Sequence, residues 1–379
     1  MLIRFAAKNF YCFREWAEID LTFSKKTPIE VSQGEAFAKA ICLKGANAAG
    51  KTNGIKIMSF LSAFVAHSFQ SKPDELIPVD PFYDSVEPIE FSVDFSSGDT
   101  EYTYELSLNK KEILSEKIYR KLQKKVLVFN RQGTKVKTNV LAKNFDIGLR
   151  PNASVVSTAN QHQDYREAFL PLYQFFAQVQ SNVKYSGFQY DLLHYSDVSS
   201  FYHKNPDYLD FTSQYLKRFD TGIESVEIIE SKNEKGEPIH YPIFVHRQAE
   251  PRRTLLIFDE SSGTKSLYNL LALYKMTLDQ GGILLLDEFD INLHPDILPH
   301  LVRLFEDSET NPKKAQLLFV TQNSEIMDYM TKHRTYLFNK EENESYCYRL
   351  DELDHNLVRS DRPVSPLYRA GRIGGVPRL

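Results

Sequence analysis

The sequence Gly45-Ala46-Asn47-Ala48-Ala49-Gly50-Lys51-Thr52 decides the fold of this chain. A short apolar run, residues 40–43, comes directly before it and reads as a buried strand. After it, apolar side chains recur at helical spacing, namely Ile55, Met58, Leu61, Phe64 and Val65. The phosphate-binding pattern GxxxxGK followed by Ser or Thr requires a strand before the loop and a helix after it, and this sequence has both.

This loop predicts a phosphate-binding site. Glycines let backbone N–H groups turn toward phosphate oxygens, and the N-terminus of the following helix adds its positive end. Lys51 is placed to reach the β- and γ-phosphates, and the Thr52 hydroxyl to bind Mg²⁺. The residues expected to contact ATP are Gly45, Asn47, Ala48, Ala49, Gly50, Lys51, Thr52 and Asn53. A glycine turn without a ligand is disfavoured by the flanking strand and helix.

A second apolar strand, residues 282–286, ends in two adjacent carboxylates, Asp287 and Glu288. Asp287 is expected to hold Mg²⁺, usually through water. Glu288 points differently and is expected to polarise the attacking water as a general base. Alone, such a strand end is more often structural, but beside a phosphate loop it is the expected second half of the site.

The run Asp259-Glu260-Ser261-Ser262-Gly263-Thr264-Lys265-Ser266 opens the helix before that acidic strand. One interpretation is a helix N-cap and turn, for which Ser and Gly are ordinary choices. The other is the signature loop of the ABC superfamily, where a Ser and a Gly at a helix N-terminus hold a γ-phosphate. Its position before the acidic strand favours the second interpretation.

A set of runs resembles the small ABC-type ATPases of bacterial abortive-infection and phage-defence operons, grouped with OLD, RecF and SMC-like ATPases. The runs are MLIRFAAKNFYCF (1–13), GANAAGKTN (45–53), FDTGIESVEI (219–228), DESSGTKSL (259–267), LLLDEFDINLHP (284–295) and LYRAGRIGGVP (367–377). The resemblance covers both ends of the chain, and the middle is matched only loosely. It implies a homodimer, or a higher homo-oligomer, that sandwiches two ATP molecules.

The resemblance also implies roles for individual residues. Ser261 and Gly263 would bind the nucleotide of the opposite protomer, and Asp290 and His294 fall on the loop that signals across the dimer. His294 has two interpretations, a cap-region residue of a packed loop or an active-site participant. The family's switch histidine is replaced by Gln322, which donates a hydrogen bond but carries no charge, so turnover is expected to be slow.

Strand and helix patterns predict an α/β protein, a P-loop NTPase of ABC ATPase type. Residues 89–95 and 102–108 alternate apolar and polar side chains around Ser97-Gly98-Asp99, which predicts an antiparallel hairpin. After residue 251, strands and helices alternate, which predicts a mixed, mostly parallel sheet. Helices are also expected at 165–179 and 206–219. We expect one ATPase core from 1–85 and 251–379, and an inserted β-hairpin and helical lobe over 86–250.

Composition indicates a folded protein without membrane spans. The 379 residues are 42% hydrophobic and 25% charged, with a net charge of -4, which excludes a uniformly basic protein and a disordered chain. Cys12, Cys42 and Cys347 form no CxxC pair, so a disulfide framework is not expected. No stretch is long and apolar enough for a signal peptide or membrane span. A cytoplasmic location fits best.

A basic stretch, residues 110–143, stands out from this balance with eleven Lys or Arg residues and two Glu residues. One interpretation is a solvated outer face. The other is a surface for nucleic acid or an acidic partner. The stretch is therefore the predicted place to look for a binding partner.

The sequence leaves three functions open. The first is an ATP-hydrolysing sensor that controls a separately encoded effector, a nuclease or a toxin, in phage defence. The second is a DNA-repair or DNA-clamping ATPase of the RecF and SMC kind, using residues 110–143. The third is a nucleotide-binding scaffold with negligible catalysis, which Gln322 favours and Glu288 disfavours.

Overall fold

The computed structural model describes residues 1–142, 145–189, 195–219, 222–232, 235–247, 253–359 and 362–376. Three features of the sequence lie outside the described residues: Lys143, part of the run 219–228, and the predicted boundary at 250 and 251.

The helices are α1 (Ile29–Ser32), α2 (Lys51–His67), α3 (Val155–Asn160), α4 (Gln163–Ala177), α5 (Tyr195–Lys204), α6 (Pro206–Arg218), α7 (Ser262–Gln280), α8 (Ile297–Glu306), α9 (Ile326–Met330) and α10 (Ser365–Arg369). The strands are β1 (Leu2–Lys8), β2 (Ala17–Asp20), β3 (Ala40–Gly45), β4 (Ile89–Ser97), β5 (Thr100–Leu108), β6 (Ile113–Lys121), β7 (Lys125–Gln132), β8 (Lys135–Asn139), β9 (Val179–Ser181), β10 (Val183–Lys184), β11 (Gly187–Phe188), β12 (Ile223–Lys232), β13 (Pro238–His246), β14 (Arg253–Leu256), β15 (Ile283–Leu286), β16 (Gln316–Val320), β17 (Thr335–Glu341) and β18 (Glu344–Arg349).

A six-stranded sheet lies at the centre, in the order β18-β17-β3-β16-β15-β9. All its strand pairs are parallel except β17 with β18. Every residue of β3, β15 and β16 is buried, because helices cover both faces of a parallel sheet. The predicted mixed, mostly parallel sheet is confirmed, and the carboxyl ends of β3, β15 and β16 meet at one edge.

A seven-stranded antiparallel sheet forms the second layer, in the order β2-β1-β4-β5-β6-β7-β8. Along β4, buried residues alternate with partly exposed ones, because one face packs on the core and the other meets solvent. The predicted hairpin around Gly98 is β4 and β5, and the predicted antiparallel subdomain is confirmed.

Strand pairing crosses the predicted division of the chain at two places. β4 pairs with β1 in the antiparallel sheet, and β9 pairs with β15 in the central sheet. The helix predicted over 165–179 is wrong at its end, since α4 stops at Ala177. Val179 instead pairs with Ile283 as the edge of the central sheet. The division of the chain into an ATPase core (1–85 and 251–379) and an inserted lobe (86–250) stays a prediction.

A smaller lobe contains β12, β13 and β14 as an antiparallel sheet, with α5 and α6 packed on it. The helix predicted over 206–219 is α6 and is confirmed. Tyr202 of α5 is buried and donates from its hydroxyl to the backbone carbonyl of Tyr268 in α7, at 2.9 Å. Among the described residues, no helix combines the length and apolar character needed to cross a bilayer.

Candidate functional site

Two glycines with left-handed backbones shape the loop between β3 and α2. Gly50, the N-cap of α2, has φ 101°, and a Cβ there would lie 2.8 Å from Cys12 Sγ. A Cβ on Gly45 would lie 2.5 Å from the carbonyl oxygen of Phe338. Both positions exclude side chains, so the two ends of the loop pack directly against the residues behind it.

Lys51 lies folded against this loop. Its Nζ donates to the carbonyl oxygens of Gly45 at 2.9 Å and Ala46 at 2.8 Å. Burial lowers the pKa of Lys51, and the charges of Asp287 and Glu288 oppose that effect. The ammonium therefore lies inside the loop with two carboxylates close enough to influence it.

The remaining predicted loop residues differ in exposure. Asn47 and Ala48 are exposed, whereas Ala49 is buried. Ala48 also has a positive φ of 60°. Asn53 contacts the N-terminal segment, because its Nδ2 donates to Cys12 Sγ at 3.1 Å. The loop surface at 47–48 therefore faces outward, while its two ends are fixed by the core.

The Thr52 hydroxyl donates to the Asp287 carboxylate at 2.5 Å. The two residues are 235 positions apart in sequence, so the fold brings the predicted Mg²⁺ ligands together. Both offer oxygen atoms, the donors that Mg²⁺ prefers, and Mg²⁺ commonly binds one or two protein groups plus phosphate oxygens and water. The pair therefore fits the ion.

Asn182, which follows β9, holds the backbone of Asp287 on both sides. Its Nδ2 donates to the Asp287 carbonyl at 2.8 Å, and its Oδ1 accepts from the Asp287 N–H at 2.7 Å. Asn182 belongs to no sequence motif. It lies 105 residues from Asp287 in sequence, so no local pattern predicts that the two residues are in contact. Sequence reasoning missed this residue.

Glu288 is exposed and lies in a strained turn, with φ 48°. A non-glycine residue at positive φ is uncommon, and such strain concentrates at functional sites. Its N–H donates to Asp287 Oδ1 at 3.0 Å. Asp287 is buried, so the adjacent carboxylates have different surroundings, while their roles in magnesium binding and proton transfer stay predictions.

Asp290 connects the segment after β15 to the segment after β16. Its carboxylate accepts from the N–H of Gln322 at 3.2 Å and from the N–H of Asn323 at 3.0 Å. Gln322 is exposed. The structure therefore places the predicted switch residue on a loop that Asp290 holds.

Lys44, the residue before Gly45, fixes the same loop from inside the core. Its Nζ donates to the carbonyls of Thr321, at 3.2 Å, and Gln322, and it lies 5.2 Å from the Tyr368 ring centre. Burial lowers the pKa of Lys44 to about 8. Sequence reasoning missed this role, although a lysine inside an apolar strand is a detectable signal.

Ser261 caps α7, since its hydroxyl accepts from the Thr264 N–H at 3.1 Å. A Cβ on Gly263 would lie 2.7 Å from the Asn292 carbonyl oxygen. The predicted N-cap is thus present, and its glycine allows the loop after the acidic strand to pack on the helix start. A role in binding the nucleotide of a second protomer stays a prediction.

His294 is exposed and makes a local contact. Its Nδ1 accepts from the Asp296 N–H at 3.3 Å and lies 3.6 Å from Asp296 Oδ2. This contact agrees with the cap-region interpretation. The active-site interpretation stays a prediction.

The basic stretch 110–143 contains fewer free cations than its sequence indicates. Both interpretations of the stretch place its cations on the surface, and this is wrong for Arg131, which is fully buried in an ion pair with Glu116 at 2.9 Å. Lys110 pairs with Asp80 at 2.5 Å, and Lys121 pairs with Glu101 at 2.7 Å. The positive charge available to a partner is correspondingly smaller.

The phosphate loop, the buried aspartate at its threonine and the strained glutamate beside it define a P-loop ATPase-type α/β protein. Within that class, the chain belongs to the AAA_21 family, described as "AAA domain, putative AbiEii toxin, Type IV TA system", whose model matches residues 40–328. The SMC head domain from Thermotoga maritima is similar in structure, with 14% identity and a TM-score of 0.46 over 92% of this chain and 98% of that chain. No curated protein matches the sequence.

Proposed function

We propose that this protein binds and hydrolyses ATP with Mg²⁺. The observation that carries the proposal is the 2.5 Å hydrogen bond from Thr52 to Asp287. It joins the end of the phosphate loop to the end of the acidic strand, and these are the two groups that hold Mg²⁺ in P-loop ATPases.

Each residue at this edge of the sheet has a proposed task. The loop N–H groups and Lys51 bind the phosphates, and Thr52 and Asp287 would hold Mg²⁺, which would supply positive charge to the phosphate oxygens. Glu288 accepts a proton from the attacking water, whose oxygen bonds to the γ-phosphorus as the bond to the ADP oxygen breaks. Gln322 donates a neutral hydrogen bond near the γ-phosphate, which makes turnover slow.

ATP also assembles the protein in this proposal. Ser261 and Gly263 of one protomer bind the γ-phosphate held by its partner, so that two ATP molecules lie in the dimer interface. The start of α7 supports this, because the first N–H groups of a helix lack intrahelical partners and attract anions. The loop 287–294 packs on that start through Asn292, which couples the acidic strand to the interface.

The proposed biological role is a sensor and regulatory ATPase of an anti-phage system, acting on a separately encoded nuclease or toxin. The family description, which names a putative abortive-infection toxin of a toxin–antitoxin system, supports a defence setting. DNA clamping through residues 110–143 is the weaker candidate, since three of the eleven cations in that stretch are engaged: Arg131 is buried, and Lys110 and Lys121 are paired with carboxylates.

The deciding experiment measures phosphate release and molar mass for the wild type and Glu288→Gln. We expect hydrolysis to fall by about 100-fold or more in the variant, as removal of a general base does, and ATP to convert the monomer into a dimer that persists. Lys51→Ala is the control, which should lose both ATP hydrolysis and ATP-driven dimerisation. Equal hydrolysis by wild type and Glu288→Gln would remove the assigned base.

The biological role needs a separate test in cells. The gene and its neighbouring reading frames, expressed with and without Lys51→Ala, are challenged with a phage panel. Protection that requires Lys51 and a neighbouring frame is expected. Protection by this chain alone would overturn the separate effector.

A further inference from the structure

A second cluster of ligand-type side chains lies in the small lobe. One atom each from His203, Glu230 and His240 lies within 4.8 Å of the other two. His203 is in the last turn of α5, while Glu230 and His240 are directly opposite each other in the β12–β13 ladder. Helix packing on the hairpin therefore brings three residues from three elements together.

His240 is the buried member of this cluster. It is only 7% exposed, and its Nε2 is buried without a hydrogen-bond partner. A buried polar atom without a partner is unfavourable, and such an atom in a folded protein calls for an explanation. Its nearest carboxylate atom is Glu230 Oε2, at 4.0 Å, and the His203 ring centre lies 4.3 Å from its own ring centre.

The other ring nitrogen of His240 is already engaged. Nδ1 lies 2.9 Å from Ser200 Oγ, one turn before His203 on α5. In the tautomer that donates from Nδ1, Nε2 carries a free lone pair and lies 4.0 Å from Glu230 Oε2. A hydrogen bond from the second ring nitrogen is the usual way in which proteins orient a histidine that binds a metal.

We propose that His203, Glu230 and His240 form a binding site for one divalent transition-metal ion of the Zn²⁺ class. Two imidazoles and one carboxylate favour such an ion over Mg²⁺ or Ca²⁺, which prefer oxygen ligands alone. Three protein ligands leave a fourth position for water in a tetrahedral site. This proposal goes beyond the proposed ATPase function and does not depend on it.

Metal binding requires only a small contraction of the cluster. Ligands about 2.0–2.1 Å from Zn²⁺ lie roughly 3.4 Å from one another in a tetrahedral site. The Glu230 side chain is 54% exposed, and His203 is also exposed, so both can rotate toward the fixed Nε2 of His240. The bound ion would tie α5 to the hairpin.

The position of the cluster on β13 gives the metal a structural consequence. The other end of this strand carries His246, whose Nε2 lies 2.6 Å from the carboxylate of Glu260, next to Ser261. His246 lies six positions after His240 on the strand, which is roughly 20 Å. The metal would therefore stiffen the sheet that leads into the cap of α7.

The test is a Zn²⁺ titration of the chelator-stripped full chain in excess Mg²⁺, which occupies the proposed site at Thr52 and Asp287. Calorimetry should give one Zn²⁺ per chain for the wild type. His203→Ala and Glu230→Gln should each weaken binding at least tenfold, and the exposed control His162→Ala should not. Absence of Zn²⁺ binding, or equal affinity in wild type and His203→Ala, would overturn the site.

A thermal melt gives a second readout that does not depend on ATP. Zn²⁺ should raise the melting temperature of the wild type, because a ligand that binds only the folded state stabilises it. His203→Ala should melt at the wild-type temperature without metal and gain nothing from Zn²⁺. Lys51→Ala should keep the full increase in melting temperature with Zn²⁺. The metal site can therefore be tested even if the ATPase proposal fails. An equal shift in His203→Ala contradicts the proposal.

Discussion

The carboxylate of Asp290 accepts a hydrogen bond from the backbone N–H of Gln322 at 3.2 Å. On the other side of the same residue, Lys44 donates to the Gln322 carbonyl. The backbone N–H and the backbone carbonyl of Gln322 are thus both held by charged side chains, while the side chain of Gln322 is exposed. Its backbone position is therefore set independently of the side chain at 322.

Gln322→His is expected to raise ATP turnover about tenfold, which corresponds to about 1.4 kcal/mol of transition-state stabilisation. An imidazolium adds positive charge where negative charge develops on the γ-phosphate, which a neutral amide does not. Steady-state phosphate release at saturating ATP measures the effect. Gln322→Asn, which keeps a neutral amide, is the control and should not gain activity. Unchanged hydrolysis in Gln322→His would remove the switch assignment.

Asp290→Ala is expected to lower the turnover number about tenfold or more and to change ATP affinity less than threefold. The substitution removes the acceptor that holds Gln322 and Asn323, whereas the phosphate loop keeps its own contacts. Nucleotide titration and phosphate release separate the two effects. Asp296→Ala is the matched control, because Asp296 lies on the same segment with its side chain 91% exposed. A large loss of affinity would show that Asp290 acts on binding instead.

Local patterns predicted much of this site. The strand before Gly45 and the helix after Gly50 follow from apolar spacing, and the cap at Ser261 follows from residue type next to a helix. Asn182 and Lys44 were not predicted, because their partners lie 105 and 278 residues away. Arg131 was misplaced on the surface because the Glu116 that pairs with it lies on the neighbouring strand. Side-chain partners across strands are not visible in a one-dimensional pattern.

Gly263→Ala is expected to abolish ATP-driven dimerisation and reduce hydrolysis at least tenfold, while ATP still binds each protomer. The new Cβ would lie 2.7 Å from the Asn292 carbonyl, so the loop 287–294 or the start of α7 must move. Molar mass by light scattering, with and without ATP, measures assembly. Gly148→Ala is the matched control, since a Cβ there meets no atom within 4 Å. Normal dimerisation of Gly263→Ala would contradict the interface role.

Glu116→Gln is expected to destabilise the fold by about 3–5 kcal/mol, because it leaves the fully buried Arg131 without its counter-charge. The Tyr104 hydroxyl also donates to this carboxylate, at 2.5 Å. Denaturant unfolding followed by fluorescence measures the change. Glu101→Gln breaks the exposed pair with Lys121 and should cost less than about 1 kcal/mol. Equal small costs would mean that the buried pair adds little to stability.

The pH dependence of stability should reveal Lys44. Burial lowers its pKa from 10.5 to about 8. Between these values the unfolded chain holds a proton that the folded chain lacks, so the free energy of unfolding rises with pH, by at most about 1.4 kcal/mol per pH unit.

Unfolding free energies of the wild type and Lys44→Met, measured from pH 6 to 10.5, test this sign. The difference, wild type minus variant, should stay constant below pH 7 and increase in favour of the wild type above pH 8. Lys44→Arg stays protonated throughout this range, so its difference from Lys44→Met should remain flat. If the difference between wild type and Lys44→Met is flat or falls above pH 8, folding does not lower the pKa of Lys44, and a cation holds the Gln322 loop well above pH 8.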